Sequence, residues 1–153
     1  MQPNYSFQYC QKIVVLSQDR ESVLLAKRQG EQDYDGTYTF IGGKMETTDA
    51  SINDGIKREK DEEIGTDARI KIVQYESYNV LFRKKDGSNM ILPHIAAIFQ
   101  SGNISLSDEY SEYKWVPISE LDDFEPKIKN IPEVVNWALS KLEDTPESQL
   151  VEI

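Results

Sequence analysis

A run of seven charged residues, Lys57 to Glu63, constrains this chain more than any other segment. Its three glutamates, Glu59, Glu62 and Glu63, continue a spacing of three and four positions that begins at Ile52 and passes through Gly55 and Ile56. In a helix this spacing places the side chains on one face, which apolar residues normally turn toward the core. Carboxylates gathered on a partly buried face repel one another, so the pattern predicts a positive charge beside them.

Two sources of positive charge fit this face. A divalent cation is one, and carboxylate oxygens favour Mg²⁺ or Mn²⁺ over zinc in a chain that has one Cys and one His. The protein itself is the other, because charge runs are usually surface features and the acids can pair with Lys57, Arg58 and Lys60. The segment that precedes the run favours the cation.

A glycine loop lies before the acidic segment. Thr37 to Ile41 is rich in β-branched and aromatic residues, which predicts a short strand. Gly42 and Gly43 follow, and they permit backbone conformations that are costly for other residues. Gly65 is placed to end the helix, and short polar residues are available to cap its start: Thr47, Thr48, Asp49 and Ser51. The sequence therefore predicts a strand, a glycine loop and a capped helix that brings backbone groups beside the carboxylates.

This segment resembles the Nudix box, the sequence motif of the Nudix hydrolase family. The family pattern is Gly, five residues, Glu, seven residues, Arg-Glu, an aliphatic residue, any residue, Glu-Glu, any residue, Gly and an aliphatic residue. The box here spans Gly43 to Thr66, and its core Arg-Glu-x-x-Glu-Glu-x-Gly is intact. The positions that match by identity are Gly43, Arg58, Glu59, Glu62, Glu63 and Gly65.

The chain departs from the family pattern at four points. Asp49 stands where the family has its first Glu, and one extra residue separates it from Arg58. Lys60 and Thr66 replace aliphatic residues. None of these changes removes a carboxylate of the core, and the resemblance implies that Asp49 pairs with Arg58.

The resemblance implies a site for Mg²⁺ or Mn²⁺ with four ligands, which are the side chains of Glu59, Glu62 and Glu63 and the carbonyl oxygen of Gly42. Arg58 would orient the acids through ion pairs, and Lys44 would contact substrate phosphate. Nudix enzymes often use a further carboxylate from a later loop as a general base or metal ligand. Glu109 and Glu112, just before Trp115, are the candidates here, with Glu109 preferred and Glu59 the base if neither reaches the metal.

The implied reaction is metal-dependent hydrolysis of a phosphoanhydride bond in a nucleoside diphosphate linked to another moiety. Arg28 is a candidate to bind phosphate and Tyr38 to stack on a nucleobase, although both fit ordinary packing as well. Two other functions stay open: a catalytically inactive Nudix-fold module that senses a nucleotide, and an acidic interaction domain.

Composition is consistent with a small-molecule enzyme. The length of 153 residues predicts a single domain over 1–153, with a core over about 7–142 and a loose, polar tail over 144–153. A net charge of -10 argues against a nucleic-acid partner, which requires clustered Lys and Arg. Neither a signal peptide nor a membrane span is evident, so we expect a cytoplasmic protein, as a monomer or homodimer, whose Cys10 is a buried small hydrophobe.

The remaining elements alternate between strand and helix. The sequence predicts a hairpin over 9–28, one long or bent strand over 70–84, a turn at Asp86-Gly87 and a returning strand over 90–99. Pro93 predicts an edge, a bulge or a strand start there. A last helix is predicted to begin at Asn130, with a capping box to Glu133. This order resembles the α/β Nudix fold, an α/β/α sandwich in which a mixed sheet lies between the motif helix and the C-terminal helix.

Overall fold

A mixed β-sheet forms the middle layer of the molecule. A computed structural model describes residues 4–153, and the sheet in this part of the chain has nine strands. The central pair is parallel and the other neighbouring strands are antiparallel. The strands are β1 (Gln8–Leu16), β2 (Ser22–Arg28), β3 (Tyr38–Thr39), β4 (Ile41–Lys44), β5 (Arg69–Ile72), β6 (Tyr78–Arg83), β7 (Asn89–Ser101), β8 (Tyr110–Pro117) and β9 (Val151–Glu152).

One helix packs on each face of this sheet. Helix α1 (Ile52–Ile64) and helix α2 (Ile131–Asp144) are joined to the strands by loops and by two short 3₁₀ turns, Ile118–Glu120 and Glu147–Gln149. Neither α-helix in residues 4–153 has the length and apolar character needed to cross a bilayer. The predicted sandwich, with its mixed sheet between the motif helix and the C-terminal helix, is confirmed.

The strands build two cores because their side chains point alternately to opposite faces. In β1, Val14 and Leu16 face α2, whereas Ile13 and Val15 face α1. Strands β1 and β7 lie side by side in parallel and are apolar on both faces, as expected of strands covered on both sides. Gly42 and Gly43, predicted as a loop, are part of β4, which pairs with the other edge of β1. This pair of residues is called the glycine loop below.

The prediction of one strand over 70–84 is wrong, because an irregular segment separates β5 from β6. Tyr75 adopts a left-handed backbone with φ 71°, a conformation that no regular strand contains. Both strands then pair with the same edge of the long β7, one after the other. The predicted turn at Asp86-Gly87 is confirmed and joins β6 to β7.

Pro93 lies inside β7 rather than at an edge or a strand start. Its neighbour on β6 is Asn79, and the ladder between β1 and β7 is interrupted at Pro93, between the pairs Tyr9–Ile91 and Lys12–His94. A proline interrupts a ladder because it has no N–H to donate.

The predicted capping box at α2 does not form. Asn130 is the N-cap residue, but its side chain makes no capping hydrogen bond. Glu133 instead lies near the Tyr78 hydroxyl on the sheet and raises the pKa of Tyr78. The side chain that the local motif would use is therefore turned toward the sheet.

The C-terminal residues are ordered, which corrects the prediction of a loose tail. Val151 and Glu152 pair with Ile72 and Lys71 of β5 as strand β9. Ile153 is 9% exposed and belongs to the core on the α1 face. The polar composition of the tail did not predict this order, because one apolar side chain and two paired backbone residues are enough to hold the tail in place.

We predict that Ile153→Ala lowers the free energy of unfolding by about 2 kcal/mol, because it removes buried methyl and methylene groups. Ile52→Ala is the matched control, since Ile52 is 47% exposed, and it should change stability by less than about 0.5 kcal/mol. Urea denaturation of both variants measures the difference. Equal effects of the two substitutions would show that the tail does not contribute to the core.

Candidate active site

Helix α1 carries the acidic face and begins and ends where the sequence predicts. The Ser51 hydroxyl accepts a hydrogen bond from the backbone N–H of Asp54 at 3.1 Å, and Gly65 ends the helix with φ 93°. Glu59 and Glu63 are buried, at 6% and 2% exposure, but Glu62 turns toward solvent. The acidic face therefore consists of two buried carboxylates, Glu59 and Glu63, and the exposed carboxylate of Glu62 at its rim.

Gly42 lets the loop approach β1 closely, and Gly43 lets it approach this helix. Gly42 has φ 139°, and a Cβ there would lie 2.0 Å from the carbonyl oxygen of Gln11. At Gly43 a Cβ would lie 2.0 Å from the Oε2 atom of Glu59. Any side chain at Gly43 would displace the Glu59 carboxylate, which explains why this position needs glycine.

Arg58 organises the acids at the rim. Its guanidinium donates two hydrogen bonds to Asp49, at 2.9 and 3.0 Å, so the predicted pairing of these residues is present despite the longer loop. The same group donates to Glu59 at 2.8 Å, to Glu62 at 3.3 Å and to the carbonyl oxygen of Lys44 at 3.0 Å. The bond from Arg58 lowers the pKa of Asp49 to about 2. Arg58 thus ties the glycine loop to the helix.

Glu63 is held by groups that the sequence analysis missed. Ser107 Oγ donates to Oε2 and Tyr110 Oη donates to Oε1, both at 3.0 Å, and the backbone N–H of Gly42 lies 3.3 Å from Oε1. Burial, followed by the charge of Glu109, raises the pKa of Glu63 to about 7. Ser107 and Tyr110 lie 44 and 47 positions from Glu63 in sequence, and no local spacing signals that they meet it.

The structure separates the two candidates for the late carboxylate. Glu109 lies close enough to raise the pKa values of both Glu59 and Glu63, after the larger effect of burial. Glu112 instead accepts a short hydrogen bond from the Tyr38 hydroxyl on the α2 side. The register between β2 and β8 is irregular beside Arg28, and the side chains of β8 change sides of the sheet at this point. Tyr110 therefore points toward α1 and Glu112 does not. The geometry therefore supports Glu109 and removes Glu112 from the acidic cluster.

Lys60 occupies a family aliphatic position and is buried. Its residue is 1% exposed, and its ammonium donates to the carbonyl oxygens of Ala68 at 2.7 Å and Gly65 at 3.3 Å. The stem of a lysine packs like an aliphatic side chain, while its charge finds carbonyl partners at the helix end. The substitution is therefore structural and places no cation near the carboxylates of Glu59 and Glu63.

The donor set fits the chemistry of a hard divalent cation. The ligand atoms that the cluster offers are carboxylate oxygens, and burial and the neighbouring carboxylates Glu62 and Glu109 raise the pKa of Glu59, with Arg58 opposing them. Among residues 4–153, no three His, Cys, Asp or Glu side chains are arranged as a metal-binding group. Arg58 already donates a hydrogen bond to Glu59, and Ser107 and Tyr110 donate to Glu63. A cation would therefore replace some of these hydrogen bonds as it binds.

A cavity of about 540 Å³ lies on the α2 side of the sheet, beside the glycine loop. Arg28 and Lys44, both predicted substrate contacts, line it. Tyr38 does not, and its prediction as a stacking residue is wrong: its ring is 2% exposed and packs edge-on against Phe124. The alternation of β3 explains this, because Tyr38 points into the core between the sheet and α2.

A family model described as the NUDIX domain matches residues 11–138, which include the glycine loop, α1 and the Glu109 loop. The chain belongs to the Nudix family. The prediction of a Nudix-type hydrolase is thus confirmed at the level of the family, whose members generally use divalent metals. No curated protein matches the sequence significantly.

Solved structures share the Nudix fold at low sequence identity. The MutT protein from Methanosarcina mazei Go1 is 20% identical, with a TM-score of 0.69 over 94% of this chain and 100% of that chain. The NUDIX domain of Shewanella oneidensis NrtR, complexed with ADP ribose, is 17% identical, with a TM-score of 0.70 over 91% and 90%. A C. elegans Ap4A hydrolase is 16% identical, with a TM-score of 0.64 over 89% and 95%. At these identities the likeness shows the fold alone.

Burial of His94 makes stability depend on pH. Burial lowers its pKa from 6.5 to about 4, so between these values the unfolded chain binds a proton that the folded protein does not. Stability conferred by neutral His94 is present above pH 6.5 and is lost as pH falls toward 4. We predict that the free energy of unfolding of the wild type, relative to His94→Phe, falls by about 2 kcal/mol between pH 7.5 and 5.

Denaturation of both proteins at the two pH values measures this difference, and titration of other groups cancels between them. A difference that does not change with pH would contradict the burial of a neutral His94.

Proposed function

We propose that this protein hydrolyses a phosphoanhydride bond in a nucleoside diphosphate linked to another moiety, with Mg²⁺ or Mn²⁺ as cofactor. The observation that carries the proposal is the arrangement of charge around the glycine loop. Buried Glu59 and Glu63 lie on the α1 side, and a cavity lined by cations lies on the α2 side. An acidic cluster attracts a divalent cation, and cations beside it attract phosphate.

Each group near the loop has a distinct task in this proposal. Glu59, Glu62 and Glu63, with the carbonyl oxygen of Gly42, hold the cation, and Arg58 orients Glu59 and Glu62 through the bonds described above. When bound, the ion neutralises phosphate oxygens and lowers the pKa of its water.

Lys44 and Arg28 contact the phosphates from the cavity side. Lys12 lies opposite Gly42 on β1. Its charge lowers the pKa of Glu63, although by less than the hydrogen bonds from Ser107 and Tyr110 do. Lys12 therefore lies between the acidic cluster and the cations of the cavity. Phosphate bound there would face the carboxylates across the glycine loop.

Glu109 is the proposed general base. Its charge acts on both Glu59 and Glu63, so it lies near both carboxylates, and it is itself exposed to solvent. Its loop is fixed by hydrogen bonds from Gln29 to the carbonyl oxygens of Glu109 and Asp108, both at 2.9 Å. A carboxylate on an anchored loop can remove a proton from an attacking water without leaving its position.

The ligands of similar proteins support the class of substrate. The NrtR domain is complexed with ADP ribose, and the C. elegans protein is an Ap4A hydrolase. Both compounds contain a nucleoside diphosphate linked to a further group. We therefore propose a substrate of this chemical class for the present chain.

A nucleotide-sensing module is the second candidate. It is favoured by one observation: Arg58, Ser107 and Tyr110 already occupy the carboxylate oxygens of Glu59 and Glu63. If these bonds persist when a nucleotide binds, the protein would bind the ligand without cleaving it.

We predict that Glu63→Gln lowers turnover by about 100-fold or more without unfolding the protein, because the amide preserves volume but not charge. The assay uses Mg²⁺ or Mn²⁺ with nucleoside triphosphates, nucleotide sugars, ADP-ribose and dinucleoside polyphosphates, with products resolved by chromatography. Glu112→Gln is the matched control, and its turnover should stay within about threefold of the wild type.

Cleavage of one class of compound, lost in Glu63→Gln and kept in Glu112→Gln, would support the hydrolase. A wild-type protein that binds the metal and gains thermal stability with a nucleotide, yet releases no product, would contradict the hydrolase and support the sensing module.

We further predict that Glu109→Gln lowers kcat by about 10²-fold or more while KM changes by less than about threefold, as expected for loss of a general base. The measurement is a kcat and KM determination against the wild type with the substrate found above. An unchanged kcat would assign the base to another group, with Glu59 the next candidate.

A further inference from the structure

The cavity on the α2 side has a composition opposite to that of the whole chain. The protein carries 27 Asp and Glu residues against 17 Lys and Arg. Among the described residues that line the cavity none is Asp or Glu, and six are cations: Lys12, Arg28, Lys44, Lys84, Lys127 and Lys129. Two of these cations are ion-paired with acids outside the lining, Arg28 with Glu31 at 3.2 Å and Lys127 with Glu125 at 2.9 Å. The other four still give the cavity an excess of positive charge, which suits a ligand that carries negative charge.

The floor of the cavity is apolar and aromatic. It is formed by one face of the β6–β7 hairpin, from the pair Phe82–Met90 at one end to His94 at the other. Four residues along a strand separate Met90 from His94, which corresponds to about 13 Å. Tyr34 packs on Phe82 with ring centroids 5.6 Å apart, and Phe40 meets His94 edge-on at 5.6 Å. A flat aromatic group with an anionic substituent fits such a surface.

The polar edge of His94 has a defined chemical character. Nδ1 lies 2.9 Å from the carbonyl oxygen of Leu92 and 3.0 Å from that of Tyr78. Carbonyl oxygens accept hydrogen bonds and cannot donate them, so Nδ1 carries the proton. The ring is neutral near pH 7, because burial holds its pKa at about 4. The other nitrogen, Nε2, therefore has a free lone pair and acts as an acceptor.

This acceptor is accessible from the cavity. His94 is 4% exposed and lines the cavity. Nε2 makes no hydrogen bond within residues 4–153, yet it is not among the buried side-chain atoms in that part of the chain that lack a partner. An unpartnered atom that is not sealed from solvent opens to a space beside the ring, and His94 lines this cavity.

We propose that His94 is a specificity-determining residue that accepts a hydrogen bond from an amino group of the substrate's nucleobase. The base lies against Phe40 and the β6–β7 floor, and its phosphates extend toward Lys12, Arg28 and Lys44 beside the acidic cluster. A base that presents a carbonyl oxygen at the same point faces the lone pair of Nε2 and is rejected. This inference rests on the proposed function, which gives a nucleotide as the class of ligand. It adds which nucleobases that nucleotide carries.

Binding of nucleoside monophosphates tests the proposal, because they contain no anhydride and cannot be hydrolysed by the proposed activity. Dissociation constants would be measured by calorimetry at pH 7.5, without added metal, for three pairs that differ in an amino group: AMP and IMP, CMP and UMP, and GMP and IMP. We expect the amino-bearing member of at least one pair to bind about tenfold more tightly, the effect of leaving one buried acceptor unpaired.

His94→Phe should bring the two members of that pair within about twofold, since phenylalanine keeps the ring contact with Phe40 and removes Nε2. Asn130→Leu is the matched control. Asn130 also lines the cavity and has an amide oxygen, but its side chain makes no capping bond to α2, so its loss should leave both the fold and the preference intact.

Four results would overturn the proposal. These are no binding of any monophosphate, no preference within any pair in the wild type, a preference that persists in His94→Phe, and a preference that Asn130→Leu abolishes. A fourth comparison, AMP with dAMP, separates the base from the sugar. If His94→Phe removes a preference for the ribose compound instead, the acceptor serves a hydroxyl and the base assignment is wrong.

The wild-type comparison stands even if His94→Phe fails to fold. Failure of the proposed hydrolysis leaves it equally intact, because a sensing module with this cavity would show the same preference among monophosphates.

Discussion

The burial of Glu59 and Glu63 against the backbone of the glycine loop is the constraint around which the site is built. Carboxylates removed from water cost free energy unless they gain hydrogen bonds or a cation. Here Arg58 supplies a cation at the rim and Ser107 and Tyr110 supply hydroxyl donors in the interior. The loop can lie so close only because Gly43 has no Cβ to displace the Glu59 carboxylate.

The sheet converts this local constraint into a two-sided site. The glycine loop pairs with β1 at the boundary between the two faces, so carboxylates from α1 reach it from one side and the cation-lined cavity opens on the other. A protein of net charge -10 thereby has a basic cavity on one side of the loop while its acidic cluster lies on the other side of the same loop. In the proposed function, this segregation of charge would attract a metal ion and a phosphate to one place.

The departures from the family motif have physical explanations in the structure. Asp49 still forms two hydrogen bonds with Arg58 across the longer loop and also accepts one from the backbone N–H of Glu46 at 2.8 Å, which closes the turn. Lys60 keeps the packing of an aliphatic side chain and directs its ammonium to carbonyl oxygens at the end of α1. Neither change alters the set of carboxylates at the loop.

The sequence by itself determined the elements that depend on neighbouring residues. Spacing and capping residues located α1 from Ser51 to Gly65, because helix periodicity and caps act within a few positions. The two glycines, predicted as a loop, lie instead in β4, because pairing with β1 extends the strand through them. Tertiary structure decided the rest, since it depends on contacts between distant residues.

The irregularity between β2 and β8 separates Glu109 from Glu112, packing of the sheet buries Tyr38, and Ile153 joins a core through β9. The hydrogen bonds from the Ser107 and Tyr110 hydroxyls to Glu63, and the orientation of His94, were also decided by the tertiary structure. Loop closure and strand register, rather than spacing along the chain, bring these partners together.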